Sequence, residues 1–276
     1  MGDLRTALRD GLGGYRIVLV VLGVVLALFL LLPLAVILPQ AFSSGLFFKF
    51  PPPGFSTGWF TEVVNDAAWR DAFLRSLVTA TAGALLATAC GTLAALGLRR
   101  LGVGARPLRA LFLAPLVIPQ LVLAVGIFIA RDDLGLGSSL WTLVIGQTVL
   151  AFPVVVVIAS AGLSSVDPAL SRASASLGFG WLGTVLRVEL PLISRSVLSA
   201  FVLAYALCFD EAVLAFFLSP PGEATLPTQL WLASSEEASP AIAAVSTIVM
   251  GLVTALLVLA AWLARPRRTS TDRSAA

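Results

Sequence analysis

Two carboxylates, Asp210 and Glu211, stand side by side inside the apolar run from Ser196 to Leu218. A charged side chain at such depth costs roughly 2.5 kcal/mol or more against lipid, so both acids should face a bundle interior or a water-filled path. If the run is one helix, its middle falls near Leu207, and Asp210 lies about 4 to 5 Å beyond it at 1.5 Å per residue. Neighbouring helical positions diverge by about 100°, so the two carboxylates cannot point the same way. One of them lining a solute path is one reading; hydrogen bonding within the bundle is the other. Other chemistry is poorly supplied. The chain has no histidine to serve as a general base and no Gly-x-Ser-x-Gly nucleophile turn. Lys49 is its only lysine, so no Gly-x-x-x-x-Gly-Lys phosphate loop exists. A Gly-x-Gly-x-x-Gly string at Gly178, Gly180 and Gly183 follows a helical pattern and lacks an acid about twenty residues on, so it reads as coincidence. Cys90 and Cys208 fall within expected spans, without a neighbouring Cys or His, and behave as small apolar residues; no metal site is expected. An enzyme is not expected.

A second group is polar. From Asp167 to Arg195 an otherwise lipid-like chain is interrupted by Asp-Pro-Ala-Leu-Ser-Arg and its continuation. Asp167 suits an N-cap and Pro168 the first helical position, where its missing N–H costs nothing. Leu170, Ala173, Ser174 and Leu177 recur at spacings of three and four, giving a small-residue apolar face that ends at Gly178, which permits the left-handed turn that stops helices. A second short helix presenting Trp181, Leu182, Val185 and Leu186 is expected to end where Pro191 opens the next span. The whole reads as a helix, turn, helix outside the lipid, lying between two spans.

The elements that hold these groups are membrane spans. In 276 residues, 58% are hydrophobic and 12% charged, more apolar surface than a soluble domain can hide. Runs of about 20 apolar residues cross a bilayer core of roughly 30 Å, and six are placed at about 17–39, 76–98, 108–130, 140–162, 196–218 and 241–264. Cations favour the cytoplasmic side of short loops. With the N-terminus inside, that side holds Arg5, Arg9, Arg16, Arg99, Arg100, Arg106, Arg109, Arg172, Arg187, Arg195, Arg265, Arg267, Arg268 and Arg273, against Lys49, Arg70, Arg75 and Arg131 outside. Fourteen against four places both termini in the cytoplasm, and the 219–240 loop, with Glu223, Glu236 and Glu237 and no cation, agrees. The net charge of +3 therefore needs no nucleic-acid partner. The run Ile17 to Leu38 exceeds the roughly 7 to 15 residues of a secretory signal core and is closed by no small-x-small site, so an uncleaved span is expected.

Residues 1–16 read as a cytoplasmic segment, 17–264 as a single transmembrane domain, and 265–276 as a disordered tail. The external connection 40–75 opens with turn residues and then carries Glu62, Val63, Val64, Ala67, Ala68, Trp69 and Phe73, a pattern suited to a short interfacial helix. Trp59, Phe60 and Trp69 suit headgroup depth, with contact to a periplasmic partner the alternative. Pro115, Pro119 and Pro153 interrupt the third and fourth spans, either as broken helices around a path or as packing kinks.

Gly178, nine residues, Val188, one residue, then Leu190-Pro191 resembles the cytoplasmic loop signature of permease subunits in bacterial binding-protein-dependent ABC importers. The family's opening Glu-Ala-Ala falls on Arg172, Ala173 and Ser174, with a base in place of the acid. Ala114 to Gln120 (APLVIPQ), Gly146 to Pro153 (GQTVLAFP), Phe209 to Glu211 (FDE) and Thr225 to Pro227 (TLP) are similar to the second permease of spermidine/putrescine-type systems, over about Tyr15 to Ala264. The resemblance implies an all-α, six-span, type I importer permease fold in the bacterial inner membrane, with the first span wrapping a partner. It implies docking of the 163–195 loop on a cytoplasmic ATPase, through Asp167, Arg172, Ala173, Ser174, Gly178, Trp181, Val188, Leu190 and Pro191. It further implies two ATPase subunits, which hold the ATP and Mg while this chain holds no cofactor. A second, different permease and a periplasmic or lipid-anchored solute-binding protein complete the set. Polyamine-type relatives commonly carry a carboxylate where this chain has Gln120 and a histidine where it has Gln147, losses that reduce the case for a polyamine; the two glutamines join Asp210 and Glu211 as pathway candidates. A polyamine, aminoethylphosphonate, another small organic ion or an iron complex are all compatible substrates. The readings outside the family are a self-sufficient secondary transporter or channel using Asp210 and Glu211, and a scaffold that binds a partner without flux.

Overall fold

A computed structural model describes residues 2–236 and 239–263; Glu237 and the expected tail 265–276, with Arg265, Arg267, Arg268 and Arg273, lie outside them. In chain order the helices are α1 (Gly2–Ala41), α2 (Gly58–Asn65), α3 (Ala67–Leu101), α4 (Arg106–Leu113), α5 (Gln120–Asp133), α6 (Leu140–Ser164), α7 (Pro168–Ser176), α8 (Trp181–Thr184), α9 (Leu190–Phe209), α10 (Val213–Leu218), α11 (Leu226–Glu236) and α12 (Pro240–Leu263). Tight 3-10 turns join α3 to α4 at Gly102–Ala105 and extend α4 through Ala114–Leu116, and a π turn at Val185–Glu189 joins α8 to α9. Extended pairing among the described residues is limited to one antiparallel bridge between Ser43 and Phe55.

Among the described residues four helices are long and apolar enough to cross a membrane: Val18–Ala41, Ala67–Leu101, Leu140–Ser164 and Trp181–Phe209. The pair Arg106–Leu116 and Gln120–Asp133, bent by 99°, makes a fifth when taken as one span. The chain divides into two compact units, one from Met1–Asp66 with the residues from Ala233 on, the other Ala67–Leu232.

In the first unit α1 packs along α12, which also receives α2. From Ile17 on α1 is apolar on all sides, and its side chains from Val18 to Leu32 remain exposed, Phe29 at 72%. A helix hydrophobic all round belongs in lipid or against another protein. The loop after it is closed by Gln40, whose amide donates to the Lys49 carbonyl at 2.6 Å. The Phe42 and Phe60 rings meet at 4.9 Å, and the Trp59 indole N–H donates to the Gly45 carbonyl.

In the second unit α3, α6 and α9 form the core. A bilayer gives apolar helices no hydrophobic reason to associate, so small residues that allow close approach decide the packing. α3 buries Ala80, Gly83, Ala84, Ala87, Gly91 and Ala95. At Gly91 an added Cβ would stand 2.7 Å from the Val155 side chain, and at Gly162 2.5 Å from the Ser196 hydroxyl. Two apolar clusters follow. Leu96, Ala159, Leu163, Val185 and Ile193 tie α3, α6, the π turn and α9 together. Ala124, Leu143, Leu214 and Leu218 tie α5, α6 and α10.

Several expectations are corrected. The third expected span, 108–130, is broken at Val117–Pro119, because Pro119 has no N–H to continue α4 and holds extended ψ at 136° as it opens α5. Pro153 does not break α6, which runs unbroken from a Ser139 N-cap to Ser164. The fifth span, 196–218, stops at Phe209 and restarts as α10. Ala67, Ala68, Trp69 and Phe73 lengthen α3 rather than forming the interfacial helix, which is α2 alone. The 219–240 connection carries the helix α11.

Candidate functional site

The polar loop folds from local signals. The Asp167 side chain caps α7, accepting the Ala169 N–H at 2.8 Å, and Pro168 takes the first helical position. At the other end Gly178 adopts φ +85°; the Gly178 N–H donates to Ala175 and the Phe179 N–H to Ser174, the paired bonds of a Schellman stop. After Phe179-Gly180 the chain turns into α8, and the Ser174 and Thr184 hydroxyls, both buried, hydrogen-bond at 2.9 Å across the turn. Of the expected apolar face only Ser174 is buried within this chain. Ala173 is exposed, as are Leu170, Leu177, Trp181, Leu182 and Leu186, a cluster of apolar side chains of the kind that marks a protein contact. Arg172 is exposed and makes no ion pair among the described residues. Pro191 does not separate the second short helix from the next span. The π turn, with Val188 inside it, carries the helix from Trp181 through Leu190 to Phe209 without interruption.

Arg99 fastens this loop to the bundle. From the last turn of α3 its guanidinium donates to the Leu163 carbonyl at 3.0 Å, which also accepts the Val166 N–H, and to the Val166 carbonyl just past α6 at 3.2 Å. It also faces Glu189 at 3.8 Å, and Glu189, 8% exposed, accepts the Ser171 hydroxyl of α7 at 3.0 Å. Arg100 lies over Trp181 at 5.4 Å and Arg187 over Phe179 at 4.7 Å. Sequence reasoning used Arg99 only as a topology marker and passed over Glu189 and Ser171; partners 90 residues apart leave no spacing to read.

The second assembly lies where two helices break. Gln120 opens α5 after the Pro119 break, and its amide donates to Glu211 Oε2 at 3.2 Å. Glu211 sits in the gap between α9 and α10, buried at 5% exposure, and its Oε1 accepts the Leu214 N–H at 2.8 Å, capping α10. Gln147, also buried, donates from Nε2 to the Cys208 carbonyl at 2.9 Å, one of the last free carbonyls of α9. Arg131, 6% exposed, donates to the Leu218 carbonyl at the far end of α10 at 3.4 Å and stacks on Phe128 at 4.2 Å. The broken backbone is thus satisfied by side chains from α5 and α6, as irregular backbone inside a membrane protein requires. All four pathway candidates stand at or beside this break, but not as adjacent helical positions. Asp210 ends α9 and is exposed, while Glu211 is turned inward. Arg131 was missed, because it read only as an external charge.

Residues 87–268, which take in both assemblies, match the family model described as binding-protein-dependent transport system inner membrane component. The chain is 32% identical over 246 residues to the protein named 2-aminoethylphosphonate transport system permease protein PhnV of Salmonella typhimurium, covering 87% of this chain and 91% of that one. It is 25% identical over 240 residues to the spermidine/putrescine transport system permease protein PotC of Escherichia coli, covering 87% and 90%. Its fold superposes on a chain of a bacterial ABC transporter that imports the acidic polysaccharide alginate, with TM-score 0.76 at 13% identity over 91% of this chain and 95% of that one. A chain of the MetNI methionine ABC transporter superposes with TM-score 0.59 at 18% identity, over 76% and 97%. The chain belongs to the binding-protein-dependent transport system inner membrane components, the permease subunits of ABC importers.

Proposed function

We propose that this subunit forms one half of the path by which a small organic ion with a protonated amine enters the cell, driven by a cytoplasmic ATPase that docks on residues 167–190. The observation that carries the coupling is the exposed apolar cluster on α7 and α8, held to the bundle by Arg99 and lying within the family match. In this reading six spans cross the inner membrane: α1, α3, the bent α4 and α5, α6, the Trp181–Phe209 helix with α10, and α12. Both termini lie in the cytoplasm, as the arginine distribution favours. Two ATPase subunits hold ATP and Mg, a second permease completes a heterodimer, and a solute-binding protein delivers substrate from outside. Aminoethylphosphonate and polyamines, the solutes in the names of PhnV and PotC, share an ammonium group. In this reading Asp210 is the carboxylate that meets it, a role supported by its exposure at the break and its lack of an ion pair among the described residues, whereas Glu211 is committed to the α10 cap.

The test is copurification of the full chain with the ATPase encoded beside it, compared with a variant lacking Asp167 to Val188. Loss of the ATPase in the variant alone supports docking; a native chain that retains no ATPase overturns the coupling and favours a self-sufficient transporter. For the path, Asp210→Asn with Glu211→Gln is expected to abolish uptake of a cationic solute, and normal uptake kinetics would exclude both carboxylates from it.

A further inference from the structure

A groove of about 560 Å³ opens between the end of α3, the start of α4 and the end of α6. Arg99, Arg106 and Arg109 line it, with Ser160 and Ser164 opposite and apolar side chains such as Leu98 and Leu163 behind. Arg99 is offset by Glu189. Arg106 and Arg109 are exposed and make no ion pair or hydrogen bond among the described residues. They stand three apart on α4, the spacing at which like charges on a helix meet and repel. Two uncompensated guanidinium groups converge beside a third, on a groove whose other wall is hydroxyl and hydrocarbon.

We propose that this groove binds the phosphodiester headgroup of an anionic lipid. A guanidinium presents donors only, in a planar fork that matches two phosphate oxygens, and it stays charged at any physiological pH. A phosphodiester is its complement, a compact anion with acceptors only. Ser160, half-buried and without a hydrogen bond among the described residues, supplies a further donor. The elements that carry the groove also expose apolar side chains, Leu101 at the end of α3 at 57% and Leu111 on the other side of α4 at 66%, as segments surrounded by lipid do. Basic pockets between spans at a membrane face are where anionic headgroups are held. Because α3 and α4 expose apolar side chains of the kind a bilayer covers, lipid is the favoured source of the anion, and a soluble phosphate, which shares the headgroup chemistry, is the competing source. The inference rests on the membrane reading of α3, α4 and α6 and not on ATPase docking.

The experiment uses the full chain in neutral detergent, with native mass spectrometry scoring retention of added phosphatidylglycerol against phosphatidylcholine, and inorganic phosphate as competitor. The native chain should prefer phosphatidylglycerol, and Arg106→Gln with Arg109→Gln should cut that preference about tenfold or more, the sum of two surface cation contributions. Lys49→Gln with Arg70→Gln, the same loss of charge elsewhere, should leave it. Arg106→Lys with Arg109→Lys should keep part of it and covers the case in which the glutamine pair does not fold. An unchanged preference in the glutamine pair overturns the proposal. Equal displacement by millimolar phosphate makes the ligand a soluble anion and overturns the lipid assignment. ATPase copurification from the same preparations separates the two readings: a glutamine pair that keeps its lipid but loses the ATPase makes the groove a protein contact instead.

Discussion

Replacing Arg99 with methionine keeps length and apolar packing but removes the two hydrogen bonds and the ion pair that tie residues 163–190 to α3, leaving the Arg100–Trp181 contact in place. Two charge-assisted bonds to the Leu163 and Val166 carbonyls are lost, at about 1.5 to 3 kcal/mol each. The 3.8 Å approach to Glu189 is looser and adds about 0.5 kcal/mol. The loop should therefore lose about 4 kcal/mol of local stability, and its opening equilibrium should rise by about a thousandfold at 1.4 kcal/mol per factor of ten. Beyond that loss, the Glu189 carboxylate is left buried with only the Ser171 hydroxyl, a further cost of about 1 to 3 kcal/mol. Arg99→Met with Glu189→Gln should recover about 1 to 2 kcal/mol, since an uncharged amide can still accept from Ser171. Native-state hydrogen exchange on the detergent-solubilised full chain reads this directly, because peptides from 163–190 report the loop while those from α5 and α10 serve as internal reference. Unchanged exchange over 163–190 in Arg99→Met would refute the fastening role. So would a double variant no better protected than the single one.

Gly178→Val places a β-branched residue at φ +85°, where only glycine sits without strain of about 1 to 2 kcal/mol; the Schellman stop should open, and copurification of the ATPase should fall while membrane insertion persists. Gly91→Ala drives a methyl to 2.7 Å from Val155 and should cost about 1 to 3 kcal/mol of thermal stability in detergent, whereas Gly97→Ala, whose Cβ meets nothing within 4 Å, should stabilise by a few tenths to about 1 kcal/mol. Equal melting shifts for the two would contradict the close α3–α6 approach. Glu211→Ala leaves the Leu214 N–H of α10 without its acceptor and should destabilise by about 1 to 2 kcal/mol. Asp210→Asn should lower uptake without moving the melting point, and the two variants exchanging phenotypes would reverse the roles assigned to the carboxylates.

Local chemistry was legible in the sequence and distant chemistry was not. Asp167, Pro168 and Gly178 announce α7 because a cap and a left-handed stop are decided within a few residues. Pro119 announces a break for the same reason. Pro153 shows the limit of that rule, since a proline embedded among tightly packed helices leaves α6 intact. The break after Phe209 carries no mark at all: no proline or glycine lies between Ser196 and Leu218. What sustains it is a set of side chains from elsewhere, with Gln147 taking the Cys208 carbonyl, Gln120 reaching Glu211, and Arg131 closing the Leu218 end. An apolar run is compatible with a continuous helix or with this capped gap, and only the partners decide. The apolar positions of α7 failed in the other direction. Their periodicity is real, but Leu170 and Leu177 face away from this chain, and helical spacing does not say whose surface completes a face.

The π turn at Val185–Glu189 turns what reads as two pieces into one 29-residue rod, from Trp181 in the polar loop to Phe209 at the break. Such a rod is about 43 Å long. Tilting it by about 10° around its centre sweeps each end through about 4 Å, more than a hydrogen bond tolerates at either terminus. The two places along it where a helix bends, the π turn and Pro191, both lie near the Trp181 end, and the run from Leu192 to Phe209 is regular α-helix. On the coupling proposed above, a push that passes them would arrive at Asp210 as displacement, in the manner of a crank whose handle is joined close to the hand.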